Sequence, residues 1–384
     1  MTTIFALIVA FLSLVILMII HEFGHFIIAK KFGVKVEEFG IGYPPRIFGK
    51  KFGDTVYSIN WLPLGAFVKI YGEEGGVDDY RSFTGLKIWK RVLIIIGGVV
   101  AFWIAAVIIF SVVFFIGADL PVGDNDSAGL INPKVQIVMV SPNSPAEQAG
   151  LKTGDTIVQL QSNAYESQMV LEIVKINKVT DFQDFTKKYA GDGKTISVVV
   201  QRDGKEFPLN LHLRTSAPAG QGLVGVGLQR MASIVQKSSW YMAPIRGAVY
   251  TYDSTKNALI GFYSLFKNLF AAKGLPSGAE FAGPLGITVF LANAASYGAG
   301  FFLYFIGMIS VFLAIFNLFP IPALDGGKLI FLLIEKIKGR PVSVKVEQTI
   351  TMIFFLILIT LSIFITIKFD IPRVTDYFKS SLQR

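Results

Sequence analysis

The chain has 384 residues, 52% of them hydrophobic, and a mean hydropathy of +0.56, which is too apolar for an ordinary water-soluble protein and suits a polytopic membrane protein. Its net charge of +9 comes without any long basic run, so it points to membrane orientation and anionic lipid rather than to nucleic acid. The absence of cysteine excludes disulfides and thiolate metal ligands and leaves the redox compartment open.

Segment 1–30 begins with an uncharged stretch, Met1 to Ile20, long enough to cross the bilayer core as a helix. It has no basic leader and no Ala-x-Ala cleavage site, and it runs directly into His21-Glu22, so it reads as a retained span. Segment 31–91 reads as strands: Val34-Lys35-Val36 and Thr55 to Trp61 alternate in polarity, and glycines and prolines break the rest. The apolar run Trp61 to Val68 either dips into the membrane or forms a plain cytoplasmic hairpin. Segment 92–118 is a second uncharged span.

Segment 119–219 holds the one convincingly soluble domain, with its core expected over 129–215. A strand at Val135 to Val140 precedes Ser144-Pro145-Ala146, which puts a cap and a first-turn proline before a short helix. Gly150, the Gly154-Asp155 turn, a strand at Thr156 to Leu160, a helix near 181–190 and a hairpin turning at Asp203-Gly204 follow. This order and the Ser-Pro-Ala, Ala-Gly-Leu and Gly-Asp-x-Ile strings closely resemble a bacterial PDZ domain; a generic small α/β domain is the plain alternative. Segment 220–297 spaces aromatic residues among Lys256, Lys267 and Lys273 like an amphipathic helix lying on the outer membrane surface. A third span falls in 298–326, a loop in 327–349, a fourth span in 350–369 and a tail in 370–384.

Loop charge orients these spans, because short loops rich in Lys and Arg stay cytoplasmic. Residues 30–91 carry 11 basic against 7 acidic side chains, and residues 327–349 carry 5 against 2. Both segments are expected in the cytoplasm. Residues 119–297 are nearly balanced, 16 against 14, and alternation of the spans puts them outside with both termini.

At the cytoplasmic end of the first span stands His21-Glu22-Phe23-Gly24-His25. Positions i and i+4 share a helix face, so both imidazoles can bind one Zn2+ ion while Glu22 takes a proton from the metal's water. Two of the chain's three histidines lie here, at a membrane depth where ionisable groups are costly without partners. A catalytic zinc usually has three protein ligands. His212 is in the outer domain and out of reach. Asp325 is the only acidic residue between Glu280 and Glu335, and the charge-derived topology brings it to the face that holds His21 and His25. Capping of the next helix is the competing assignment for Asp325.

The pairing of His-Glu-x-x-His with Asn317-Leu318-Phe319-Pro320-Ile321-Pro322-Ala323-Leu324-Asp325-Gly326-Gly327 resembles the site-2 protease family of intramembrane zinc metalloproteases. The inserted domain resembles its bacterial regulator-of-sigma-E branch, with one PDZ domain in place of two. Gly40 to Pro45, Leu62 to Lys69 and Phe281 to Ile287 support the resemblance across nearly the whole chain. It implies that His21, His25 and Asp325 bind zinc, that Glu22 is the base, and that Asn317 helps to hold the substrate peptide. Single-span membrane proteins, such as anti-sigma factors or signal-peptide remnants, are the implied substrates, and peptide ends are possible partners of the PDZ domain. The implied location is the bacterial inner membrane, with the site near the cytoplasmic face. Where the family usually has Gly-Pro-x-x-Asn, this chain reads Gly97-Gly98-Val99-Val100-Ala101.

The expected fold class is therefore a polytopic α-helical membrane protein with four transmembrane helices, a cytoplasmic-side β-hairpin region and one inserted extracytoplasmic PDZ domain. The rival readings are a membrane metal carrier and an inactive PDZ scaffold; a carrier has no need of a general base such as Glu22.

Overall fold

The computed structural model describes residues 3–73, 75, 77, 79–117, 119–125, 131–162, 172–190, 195–202, 204–217, 222–233, 238–271, 282–296 and 298–375. The turn residue Asp203, Phe281, Lys273 and the end of the tail lie outside the described residues.

Helix α1 (Thr3–Lys31) carries the first apolar stretch through the histidine motif without a break. Strands β1 (Val36–Phe52) and β2 (Thr55–Ile70) fold back on each other in one antiparallel sheet, in which Val36 to Ile41 pairs with Ala66 to Ile70 on one side and Glu38 to Ile41 with Val56 to Ile59 on the other, and α2 (Ile88–Ile116) follows. An inserted unit comprises β3 (Asp119–Pro121), β4 (Ile131–Val140), α3 (Pro145–Gln148), β5 (Thr156–Ser162), β6 (Ile173–Lys175), α4 (Val179–Ala190), β7 (Thr195–Arg202), β8 (Lys205–His212) and β9 (Val226–Ser233). The chain then runs through α5 (Ala243–Phe270), α6 (Pro284–Ser296), α7 (Ala299–Asn317), α8 (Asp325–Lys338) and α9 (Val344–Ile365), which a π-helical turn extends over Thr366–Asp370. Among the described residues, four helices are long and apolar enough to cross a membrane: Ile4–Lys31, Ile88–Ile116, Ala299–Asn317 and Val344–Thr375.

The packing of α1 shows how a uniformly apolar helix is divided between protein and lipid. Ile4, Ile8, Leu12 and Ile16, spaced four apart on one face, are exposed, whereas Ala6, Ala10 and Leu17 are buried against Val99 and Phe102 of α2 and Leu291 of α6. Near the histidines the two backbones touch. A Cβ added to Gly24 would lie 2.3 Å from the Gly97 carbonyl oxygen, so small residues set this crossing. Arg91, buried at the start of α2, forks onto both carboxylate oxygens of Glu335 in α8 and ties these elements together. Helix α9 differs from the others: none of its residues is buried. It meets its neighbours near its ends, where Thr351 donates to the Pro322 carbonyl and buried Asp370 accepts from the Gly283 amide.

Two expectations from sequence change here. Strand β9 lies within the segment read as connector, yet it pairs with β4 and with β3, so the inserted sheet, in the order β3-β9-β4-β5-β7-β8 with β6 on β5, extends past residue 219. Gly227 interrupts its alternation, and Gly222 and Gly225 precede it. The aromatic helix α5 is present, but it packs along α2 and α7 instead of lying apart on a membrane surface. At one end a Cβ on Gly247 would meet Ser111 of α2. In the middle Tyr250 packs on Phe110 and donates to the Tyr304 hydroxyl. Toward the other end, Phe262 and Phe266 stand edge-on to Phe319, just beyond α7. Lys256 and Lys267, which suggested an interfacial helix, are exposed.

Candidate metal centre

Because α1 stays helical through the motif, His21 and His25 project from one face and their Nε2 atoms come within 3.2 Å. His25 Nδ1 lies 2.8 Å from the Ile94 carbonyl of α2. A carbonyl can only accept, so Nδ1 carries the hydrogen and Nε2 is left with its lone pair turned inward. The His21 ring stacks on Phe102 at 4.6 Å, and its buried Nδ1 has no hydrogen-bond partner. Both rings are 5–7% exposed. Gly98 of α2 makes room for them: a Cβ there would stand 2.3 Å from His25 Nε2 and 2.6 Å from His21 Cε1.

Asp325 arrives from the other side of the bundle. Helix α7 ends at Asn317, and the Pro320 and Pro322 stretch cannot continue it. Gly326 and Gly327 then pack directly on that stretch, where added Cβ atoms would meet the Phe319 and Ile321 carbonyl oxygens at 2.2 and 2.3 Å. Asp325 is the first residue of α8; Leu324 holds the cap position, without a side-chain capping bond. The Asp325 carboxylate is 8% exposed, and its Oδ2 lies 3.3 Å from His21 Nε2 and 3.4 Å from His25 Nε2.

Three donor atoms thus form a triangle with edges of 3.2, 3.3 and 3.4 Å. Tetrahedral zinc with bonds of about 2.0–2.1 Å requires ligand separations of roughly 3.3–3.4 Å. The buried Asp325 Oδ2 has no hydrogen-bond partner in the protein, and leaving such a group uncompensated is costly. The donor set and its spacing fit a zinc ion. Among the described residues, no other trio of His, Asp and Glu side chains converges in this way.

Glu22 lies beside the triangle, on the flank of α1 that faces β2, and its Oε2 accepts a hydrogen bond from the Val68 amide at 3.1 Å. Glu22, His25 and Asp325 line a cavity with Tyr43, Phe67 and Lys328. Lys328 donates to Glu73 at 2.6 Å. Asn317 does not line this cavity; its side-chain amide donates to the Leu313 carbonyl at 2.9 Å. His212 pairs with Thr195 on the exposed β7–β8 hairpin. Ile94, Gly98, Val68 and Lys328 escaped the sequence reading. Only the Gly97-Gly98 pair left a signal there, as two side-chain-free positions inside an otherwise bulky span.

A buried His-His-Asp triangle among apolar helices long enough to cross a membrane is the arrangement of a multi-pass membrane metal-binding protein. Comparison with known proteins agrees: residues 9–361 match Peptidase family M50, and the chain belongs to that family, the site-2 proteases. It is 32% identical over 365 residues to a Clostridium acetobutylicum protein named "Putative zinc metalloprotease", covering 95% of this chain and 97% of that one. A Clostridium perfringens protein of the same description is 30% identical over 362 residues, covering 94% and 97%. One from Nostoc sp. is 28% identical over 361 residues, covering 92% and 93%. The chain is a zinc metallopeptidase.

Proposed function

We propose that this peptidase hydrolyses peptide bonds within or near the transmembrane segments of single-span membrane proteins, with His21, His25 and Asp325 holding the zinc and Glu22 acting as general base. The observation that carries the reading is the hydrogen bond from the Val68 amide to Glu22. It sets the base between the donor triangle and one edge of the strand Ala66 to Ile70. The other edge of that strand pairs with Val36 to Ile41. Among the described residues, no strand covers the edge at Glu22.

Zinc, when bound, supplies Lewis-acid polarisation of a carbonyl and lowers the pKa of a water to about 7. Glu22 removes a proton from the attacking water and delivers it to the leaving amide nitrogen, as a carboxylate within hydrogen-bond reach can. A transmembrane substrate hides its carbonyls in helical bonds and must be unwound. Pairing of the unwound segment with the edge at Ala66 to Ile70, where only the Val68 amide is held by Glu22, replaces the lost backbone bonds. Asn317, whose side-chain amide donates one N–H to the Leu313 carbonyl, keeps its second N–H and its carbonyl oxygen for the substrate.

The inserted unit is read as a single PDZ domain outside the cytoplasm. Support comes from the helix α3 capped by Ser144, whose side chain accepts from the Glu147 amide, from the β-sheet with α4, and from the near-neutral loop charge. Its role is to select substrates, through a peptide end or by size. The basic loops favour an inner-membrane orientation with the zinc site near the cytoplasmic face.

The test is cleavage of a single-span substrate reconstituted with the purified protein in liposomes. Cleavage is expected without chelator, is lost with it, and returns with zinc. A protein that transports zinc across the liposome wall but leaves the substrate intact would instead be a carrier.

A further inference from the structure

The cavity beside Glu22 is lined by three carboxylates, those of Glu22, Glu73 and Asp325, and by one lysine, Lys328; among the described lining residues no other lysine or arginine is present. Hydrolysis of a peptide places negative charge on the carbonyl oxygen. A positioned donor for that oxygen is worth about 100- to 1,000-fold in kcat. The backbone donor nearest the base is already engaged, since the Val68 amide is bonded to Glu22.

Lys328 follows Asp325 by three residues on α8, and positions i and i+3 lie on the same helix face. Glu73, in the turn after β2, holds its ammonium at 2.6 Å. The lysine side chain is 44% exposed and Glu73 is 22% exposed. A partly exposed ion pair contributes little stability, so holding α8 is a weak explanation for a lysine at this place. A long flexible stem with three donors suits a group that must shift from a resting carboxylate to a substrate oxygen.

We propose that Lys328 is a further catalytic residue, whose ammonium donates a hydrogen bond to the substrate carbonyl oxygen as negative charge develops on it, while Glu73 keeps the ammonium over the cavity between turnovers. The inference rests on the assignment of Glu22 and the donor triangle to peptide hydrolysis. In the reaction the water oxygen bonds to the carbonyl carbon and the carbon–nitrogen bond breaks. Glu22 carries a water proton to the nitrogen. Lys328 keeps all its protons, and its hydrogen bond strengthens as the oxygen becomes anionic.

The test compares Lys328→Met, Lys328→Gln, Lys328→Arg and Glu73→Gln in the full-length, zinc-loaded protein. Zinc content, kcat and KM on a reconstituted single-span substrate are measured. So is the affinity for a phosphinic analogue of that substrate's cut segment, whose tetrahedral anion mimics the charged oxygen. For Lys328→Met and Lys328→Gln, the expectation is full zinc content, KM within threefold, and kcat lower by about 100- to 1,000-fold. Phosphinate affinity should fall by a similar factor. Lys328→Arg should recover at least tenfold of the loss, and Glu73→Gln should cost far less than Lys328→Met. Retained kcat or retained phosphinate affinity in the neutral variants would overturn the proposal, as would loss of zinc with Lys328 or equal damage from Glu73→Gln. Failure of the underlying site assignment reads differently: His25→Ala would then keep zinc and cleavage while Lys328 is intact.

Discussion

Gly98 lies so close to His25 that an added Cβ would stand 2.3 Å from its Nε2 atom, the atom that faces His21 and Asp325. The missing side chain on α2 therefore makes room for the candidate metal site on α1. Gly98→Ala must push the imidazole aside or spread the helices, and overpacking of this kind costs about 1–3 kcal/mol. Zinc affinity of Gly98→Ala, titrated against a chelator, is expected to fall at least tenfold with a parallel loss of cleavage. Val100→Ala, on a more exposed position of the same helix, should behave like the parent.

The aromatic contacts of Phe262 and Phe266 with Phe319 brace the stretch that turns α7 into Asp325. Aromatic pairs of this kind contribute about 0.5–1.5 kcal/mol each beyond their buried area. The double variant Phe262→Ala, Phe266→Ala is expected to lower the thermal midpoint and to weaken zinc binding a few-fold, with KM for substrate moving less. An unchanged zinc affinity would mean that the stretch holds Asp325 without help from α5.

Asp119 and Ser233 are opposite one another where β3 meets β9, so the inserted domain enters and leaves through neighbouring strands. Replacing residues 122–230 by a short glycine-serine linker closes this gap with the pairing intact. The zinc ligands and Glu22 lie outside the excised segment, and the shortened protein is expected to keep zinc and to cleave, while the set of substrates it accepts changes. Total loss of activity in a folded, zinc-loaded protein of this design would mean that the domain helps to build the active site.

The four spans and the histidine motif were legible in the sequence because uncharged runs and an i, i+4 pair are local signals. The proximity of Asp325 to His21 and His25 was legible through loop charge, which places separate spans on common faces. Other features depend on contacts between distant segments. The Ile94 carbonyl that orients His25 belongs to the backbone and leaves no residue signature. The Val68 bond to Glu22 joins residues 46 positions apart. Helix α5 misled because Lys256 and Lys267 are exposed, whereas its buried positions Gly247, Thr251 and Ser254 carry no apolar signal. Strand β9 was missed because Gly227, which pairs with Met139 of β4, interrupts its alternation.

The central claim is that Asp325 is a metal ligand and Glu22 is the base. These roles separate two properties, zinc affinity and turnover, which Asp325→Ala and Glu22→Gln should affect differently. Removing a ligand from a three-ligand site should weaken zinc more than the roughly 10- to 100-fold typical for loss of a supporting partner. Asp325→Ala is thus expected to lose zinc and cleavage together, and Glu22→Gln to bind zinc like the parent with cleavage abolished. The deciding measurement is a chelator-competed zinc titration of the two purified variants, run beside cleavage of the reconstituted single-span substrate. Parent-like zinc affinity in Asp325→Ala, or parent-like turnover in Glu22→Gln, would contradict the account.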